Sequence, residues 1–196
     1  IWKGTIIPFY GAMFVLAAFI FTLRSRWIFV VSAGAVGAAV LIGTWRFWRQ
    51  EAGESTAWLF SPAEGSLQGY VFDIFVNGTH PLFPWLGFFC AGILLGRVLG
   101  RPDWRAIVGG IGFMLFASAS LAGDAGDTIF QSVVLSTQPA SRSAIFFASA
   151  LGTALLAYVV IDAIAERFPT AVDPFRRAGQ LTLTLYLLHI LVFNFA

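Results

Sequence analysis

Asn77-Gly78-Thr79-His80-Pro81-Leu82-Phe83-Pro84-Trp85-Leu86-Gly87, continuing through Phe88-Phe89-Cys90-Ala91-Gly92-Ile93-Leu94-Leu95-Gly96-Arg97, is the stretch that decides the fold. It begins as a polar connection and becomes an apolar helix with no charge until Arg97. A run like this suits hydrocarbon better than a protein interior. Two prolines flank the change and restrict the backbone there. One of only two histidines in the chain lies at the boundary.

The rest of the chain has the same character. It is 58% hydrophobic and 11% charged, with a mean hydropathy of +0.81. A soluble domain carries about 25% charged residues. The 21 Phe and 7 Trp make an apolar surface too large to hide inside 196 residues, so lipid must solvate most of it. A net charge of +2 argues against a nucleic-acid partner. The pI near 9 comes from arginine, because Lys3 is the only lysine. Cys90 is the only cysteine, so no intrachain disulfide forms. Ile1-Trp2-Lys3-Gly4 does not read as a cleavable signal peptide. The chain reads as the C-terminal part of a longer protein, with further sequence expected upstream of Ile1.

Six apolar segments follow from the pattern: residues 6–23, 27–45, 84–99, 104–123, 143–165 and 178–196. About 18 to 22 residues at ~1.5 Å each cross a hydrocarbon core of ~30 Å. The expected fold is therefore all-α, a polytopic bundle of about six spans forming one transmembrane domain over residues 1–196. Its outer loops would be 46–83 and 124–142, and 166–177 would be a short loop. Leu67, Tyr70, Val71, Ile74 and Phe75 recur at helical spacing and predict a short interfacial helix. Residues 129–135 predict another.

Arginine placement orients the bundle. Arg24, Arg26, Arg97, Arg101, Arg105, Arg167, Arg176 and Arg177, eight of the twelve basic residues, follow the odd-numbered segments. These connections are expected in the cytoplasm, in a multi-pass protein of the plasma (inner) membrane. The other side holds Lys3, Arg46, Arg49 and Arg142, with most of the acid: Glu51, Glu54, Glu64, Asp73, Asp124 and Asp127.

Several side chains are candidates for chemistry. His80 sits where the polar loop meets the membrane, with Asp73 seven residues earlier. An imidazole beside a carboxylate can act as general base or acyl acceptor; the alternative is a surface-loop histidine without a role. Thr182, Tyr186, His189 and Phe193 form one stripe of the last segment. An ionisable group inside a membrane usually faces the bundle interior, although a neutral histidine bonded to a neighbouring helix fits as well. Asp162, near the cytoplasmic end of the fifth segment and one turn from Glu166, reads as a partner for loop arginines rather than as part of a path. Arg97, Arg101 and Arg105 can bind the phosphates of a nucleotide-bearing cofactor or simply orient the chain. Gly92, Gly96 and Gly100 line one helix face and read as a helix-packing surface, and Gly109, Gly110 and Gly112 in the next segment also read as packing glycines. Two histidines and one cysteine, widely separated, offer no recognised metal spacing. No phosphate loop, dinucleotide fingerprint or nucleophile elbow is present.

The stretch Asn77 to Arg97 resembles the Gly-x-Tyr-Pro-x-x-x-Trp…Gly-x-x-x-Gly-Arg segment of bacterial membrane proteins similar to heparan-α-glucosaminide N-acetyltransferase. These belong to a wider transmembrane acyltransferase superfamily. Gly179-Gln-Leu-Thr-Leu-Thr-Leu-Tyr-Leu-Leu-His189 resembles a late helix of that superfamily, with its Gly, Ser or Thr, Tyr and His. The resemblance implies a multi-helix enzyme passing an acyl group from cytoplasmic acyl-CoA or acetyl-CoA to a sugar or envelope glycoconjugate on the outer face. In that enzyme Asp73, Asn77, His80 and Trp85 would form part of the outer mouth, Thr182, Tyr186 and His189 would line the interior, and the arginines would face the cofactor. The family's catalytic histidine belongs to an early outer loop that has no match here. His80 stands where the family commonly has Tyr, so that role does not transfer to it. The rival reading is a non-catalytic membrane subunit or transporter domain packing partner helices. A polar cavity reaching His189 would favour an enzyme or transporter; a closed core of Leu, Phe and Gly would favour a subunit.

Overall fold

The computed structural model describes residues 7–60, 66–123, 131 and 134–195. It is all-helical, 84% helix with no strand among the described residues. Lys3, Glu64, Asp124, Asp127 and most of the second expected interfacial helix lie outside them. The helices are α1 (Ile7–Ile20), α2 (Ser25–Glu51), α3 (Ala57–Phe60), α4 (Leu67–Phe72), α5 (Leu82–Val98), α6 (Trp104–Gly123), α7 (Ala144–Arg167), α8 (Pro169–Gln180) and α9 (Thr182–Phe195). A π-helical turn, Asp73–Asn77, continues α4, and a 3-10 turn, Pro139–Ser141, precedes α7.

Among the described residues three helices, α2, α6 and α7, are long and apolar enough to cross a membrane. The bent pair Leu67–Asn77 and Leu82–Val98, at 51° to each other, makes a fourth if counted as one span. Phe14, Phe19, Leu41, Met114 and Leu121 are each at least 67% exposed. Side chains of this size left outside the packing fit contact with lipid.

The chain divides into two compact units. Residues 6–156 make one, and residues 157–196, with the end of α7, α8 and α9, belong to the other. In the first unit α2 lies along α5. Ile28, Ser32, Ala35 and Ala39 of α2 step by four, three and four, so one face is buried. It meets Leu82, Leu86 and Cys90, and Met13 and Ile20 of α1 complete the core. The buried Ser32 hydroxyl donates to the Gly87 carbonyl at 3.1 Å. A Cβ at Gly87 would lie 2.9 Å from both Val36 of α2 and Phe147 of α7, so the glycine lets three helices meet. A second close approach joins α6 to α7, where a Cβ on Gly152 would sit 2.6 Å from the Phe116 nitrogen.

Several expected boundaries change. α2 does not stop at Trp45 but runs to Glu51, because Arg46, Arg49 and Gln50 are good helix formers. It ends at Gly53, whose φ of +72° suits glycine after a helix. The interfacial helix expected around Leu67–Phe75 is present as α4 and its π turn, started by the Ser66 hydroxyl accepting from the Gly69 N–H at 3.0 Å. Residues 166–177 are not a short loop, since α8 fills 169–180. Pro169 occupies the first turn, where no N–H is needed. Ala171, Val172, Phe175 and Ala178 fall on one side, and Asp173, Arg176 and Arg177 serve another, a pattern of interfacial helices. The last helix, α9, is accordingly shorter than the expected segment, at 14 residues.

Candidate functional site

The first unit has two chemically distinct ends. At one, Arg97 closes the turn between α1 and α2. Its guanidinium donates to the Phe21 carbonyl at 2.7 Å, the Leu23 carbonyl at 2.8 Å and the Ser25 hydroxyl at 3.0 Å. The carbonyls left over at the end of α1 thus receive donors from α5. Arg24, Arg26 and Arg97 share one end, as the charge pattern requires. Arg101 instead makes a bidentate pair with Asp103, both bonds 3.0 Å. That bond holds the Asp103 carboxyl below the usual carboxylate range. The Arg105 guanidinium lies 5.5 Å from the Trp104 ring centre. The three arginines expected to act together on a cofactor are engaged separately, and Arg97 is turned to the backbone.

At the other end the chain folds back over the mouth of α2 and α5. The Gly78 N–H donates to the Asp73 carbonyl at 2.9 Å and closes the π turn. A Cβ at Gly78 would lie 2.3 Å from the Phe9 ring and 2.6 Å from that carbonyl, so glycine is needed for close approach. Asn77 donates its side-chain N–H to the Leu59 carbonyl at 2.5 Å, tying α3 to the turn. Arg142 then locks the segment from the far side. Its guanidinium donates to the carbonyls of Val76, Asn77 (3.2 Å) and Gly78 (2.7 Å). Arg142 has a left-handed backbone, φ 52°, which aims it back across the mouth.

Trp85 lies between two polar groups. The Arg142 guanidinium is 5.9 Å from its ring centre, and the His80 ring meets it edge-on at 5.5 Å. His80 and Asp73 are not brought together. The Asp73 side chain is exposed, and the His80 Nδ1 is buried without a hydrogen-bond partner. The expected carboxylate–imidazole pair is therefore not formed: the π turn directs Asp73 outward while Pro81 and Trp85 hold the imidazole inward. The Asn77 Oδ1 is likewise buried and unpartnered.

Beside this stack is a pocket of about 260 Å³. Ala39, Gly43 and Arg46 of α2 form one wall, with Asn77, Phe83 and Arg142 opposite. Neither histidine lines it. Burial pushes the Arg142 guanidinium below its usual pKa, and the charge of Arg46 adds to that push. Reading the sequence missed this pair. Arg46 and Arg142 counted only as orienting charges, since nothing in sequence links the end of one helix to a loop before another.

In the second unit, Thr182 and His189 are exposed and Tyr186 is half-buried. The Thr182 hydroxyl donates to the Gly179 carbonyl at 2.6 Å, a local bond at the start of α9. No group of three or more metal-ligating side chains occurs among the described residues. Comparison with protein-family models, curated proteins and solved structures finds no match for the chain.

Proposed function

We propose that this chain is the membrane domain of an acyltransferase-like protein of the plasma membrane. It would transfer an acyl group from cytoplasmic acyl-CoA to an outer-face sugar or envelope glycoconjugate, and α1 and α9 would count with the longer helices as six spans. The observation that carries the reading is the pocket beside Asn77 and Phe83. The segment with the family resemblance runs as one bent element from that polar pocket to Arg97 at the opposite, arginine-rich end. A volume of about 260 Å³ is near the lower end of small-molecule sites, enough for one headgroup or sugar ring. In this reading Asn77 and Trp85 belong to the acceptor mouth, and His80, packed against Trp85, would supply the base. Arg101 and Arg105 would have to exchange their present contacts, Asp103 in the case of Arg101, for the acyl-CoA phosphates, with Arg97 positioning the helix ends. The test is acyl-CoA binding and acyl transfer or hydrolysis by the full-length protein in lipid nanodiscs. Absence of acyl-CoA binding removes the reading.

A non-catalytic subunit or transporter domain is supported by a different observation. A Cβ added at Gly92, Gly96 or Gly100 meets nothing within 4 Å, so this small-residue face has room for a helix. His189→Ala separates the two: an enzyme loses turnover with assembly intact, and a subunit loses assembly.

A further inference from the structure

We infer that the groove between α1 and α5 seats one acyl chain of an anionic phospholipid, with the phosphate of its headgroup at Arg97. The inference rests on neither reading of the activity.

Two cavities lie along α5 and share Phe89 as a wall. One, of about 330 Å³, has Phe14 and Trp85 in its lining. The other, of about 540 Å³, has Phe21, Gly92, Gly96 and Arg97. Among their described lining residues only Arg97 carries a charge. On α5, Trp85, Phe89, Gly92 and Gly96 step by four, three and four, so one helix face runs the length of the groove. The other wall is α1, whose Phe14 meets Phe89 edge-on at 6.5 Å.

Length points to a lipid chain. Trp85 to Arg97 is 12 residues along α5 (97 less 85), or ~18 Å at ~1.5 Å per residue. Half of a ~30 Å hydrocarbon core is ~15 Å, so the groove is about one leaflet deep. A chain entering beside Arg97 fills that depth, whereas a helix crossing both leaflets needs about twice as much. Phe21 argues the same way. It is exposed and lines the cavity that holds Gly92 and Gly96. Helices that pack on small residues bring their backbones close, and a phenyl ring at this level stands in the path of a backbone. A thin, flexible chain passes beside it.

Charge selects the headgroup. Arg97 uses three of its five N–H groups on the Phe21 carbonyl, the Leu23 carbonyl and the Ser25 hydroxyl. Those bonds fix the guanidinium at the mouth of the groove, so its other N–H groups meet phosphate oxygens without reordering. Arg24 and Arg26 are exposed at the same end. In this unit Asp103 is the only carboxylate described there, and Arg101 already holds it. That balance suits the anionic face of a bilayer.

Native mass spectrometry of the full chain in detergent tests this, with phosphatidylglycerol and a diacylglycerol of the same chains as probes. Wild type should retain phosphatidylglycerol at least about tenfold better than diacylglycerol, the effect of charge-assisted contacts to phosphate. Arg97→Gln should lose that preference. Gly92→Leu keeps every charge, and a Cβ there meets nothing within 4 Å, so the larger side chain fills the groove without disturbing α5. It should lower phosphatidylglycerol retention at least about tenfold, the effect of turning about two buried methylene groups out of the groove. Gly110→Leu on α6 also points a new side chain into open space, but outside the groove. It should retain the lipid like wild type. Equal retention by wild type and Gly92→Leu overturns the inference, as does an equal loss in Gly110→Leu, which would mean lipid merely coating the helices. Diacylglycerol held as well as phosphatidylglycerol overturns it too. So does a lipid-free dimer that Gly92→Leu dissociates, because the groove would then hold a helix of a second copy.

Discussion

Alanine at Gly152 and alanine at Gly96 should have opposite effects. A Cβ at Gly152 would lie 2.6 Å from the Phe116 nitrogen, 2.8 Å from the Gly112 carbonyl oxygen and 3.1 Å from the Phe116 Cα. All three atoms are backbone, so no side chain can swing aside. Ordinary contact begins near 3.4 Å, so α6 and α7 must separate by about 0.8 Å at this point, 3.4 less 2.6. Overpacking of this kind costs ~1–3 kcal/mol. The gain in helix propensity on replacing glycine is ~0.5–1 kcal/mol, which offsets part of it. Gly152→Ala should therefore destabilise the monomer by ~1–2 kcal/mol. At Gly96 a Cβ meets nothing within 4 Å, so only the propensity gain remains and Gly96→Ala should stabilise by up to ~1 kcal/mol. Unfolding in mixed micelles at rising SDS fraction, followed by helical circular dichroism, gives both values. Equal effects, or the reverse order, would refute the close approach of α6 and α7.

Arg142→Met should lower stability by about 3 kcal/mol in the same assay, roughly 1 kcal/mol for each carbonyl left without its donor. It should also free the segment 76–78 to amide exchange; unchanged protection would contradict the clamp. Arg97→Ala should expose the amides after α1 to exchange and cost about 1 kcal/mol, given the exposure of that arginine. Cys90, 0% exposed in the core, should resist maleimide until the protein unfolds; rapid labelling of the folded chain would argue against the packing of α2 on α5. Asp173 accepts from Arg176 and Arg177, and these bonds lower its pKa. A lowered folded pKa means that its contribution to α8 is present above the ordinary aspartate value, ~4, and is lost as pH falls through the folded value. Helicity of residues 169–180, measured by NMR from pH 5 to 2, should fall over that range; no change would show that the pair does not support the helix.

Class and element type were legible in one dimension. A run such as Phe88 to Gly96 is too apolar for water, and that property belongs to composition rather than to arrangement. The helical spacing of Leu67 to Phe75 likewise disclosed α4, because amphipathicity is a local pattern. The short loop expected at 166–177 failed for a local reason: Pro169 stands in the first turn of α8, where its missing N–H costs nothing. Glycines show the limit most clearly. Gly92, Gly96 and Gly100 have the spacing of a packing face but meet open space within this chain, whereas Gly87 and Gly152, less conspicuous in sequence, carry the close approaches. Spacing tells which residues share a face, not what the face meets. The same holds for the site. The polarity of Asn77 to His80 was readable, but the meeting of Arg46 with Arg142 was settled only when α2 packed along α5 and the loop before α7 crossed above them. Solvent preference is a sum over residues and survives in the sequence; the convergence of two charges depends on how helices pack, and only the tertiary structure determines it.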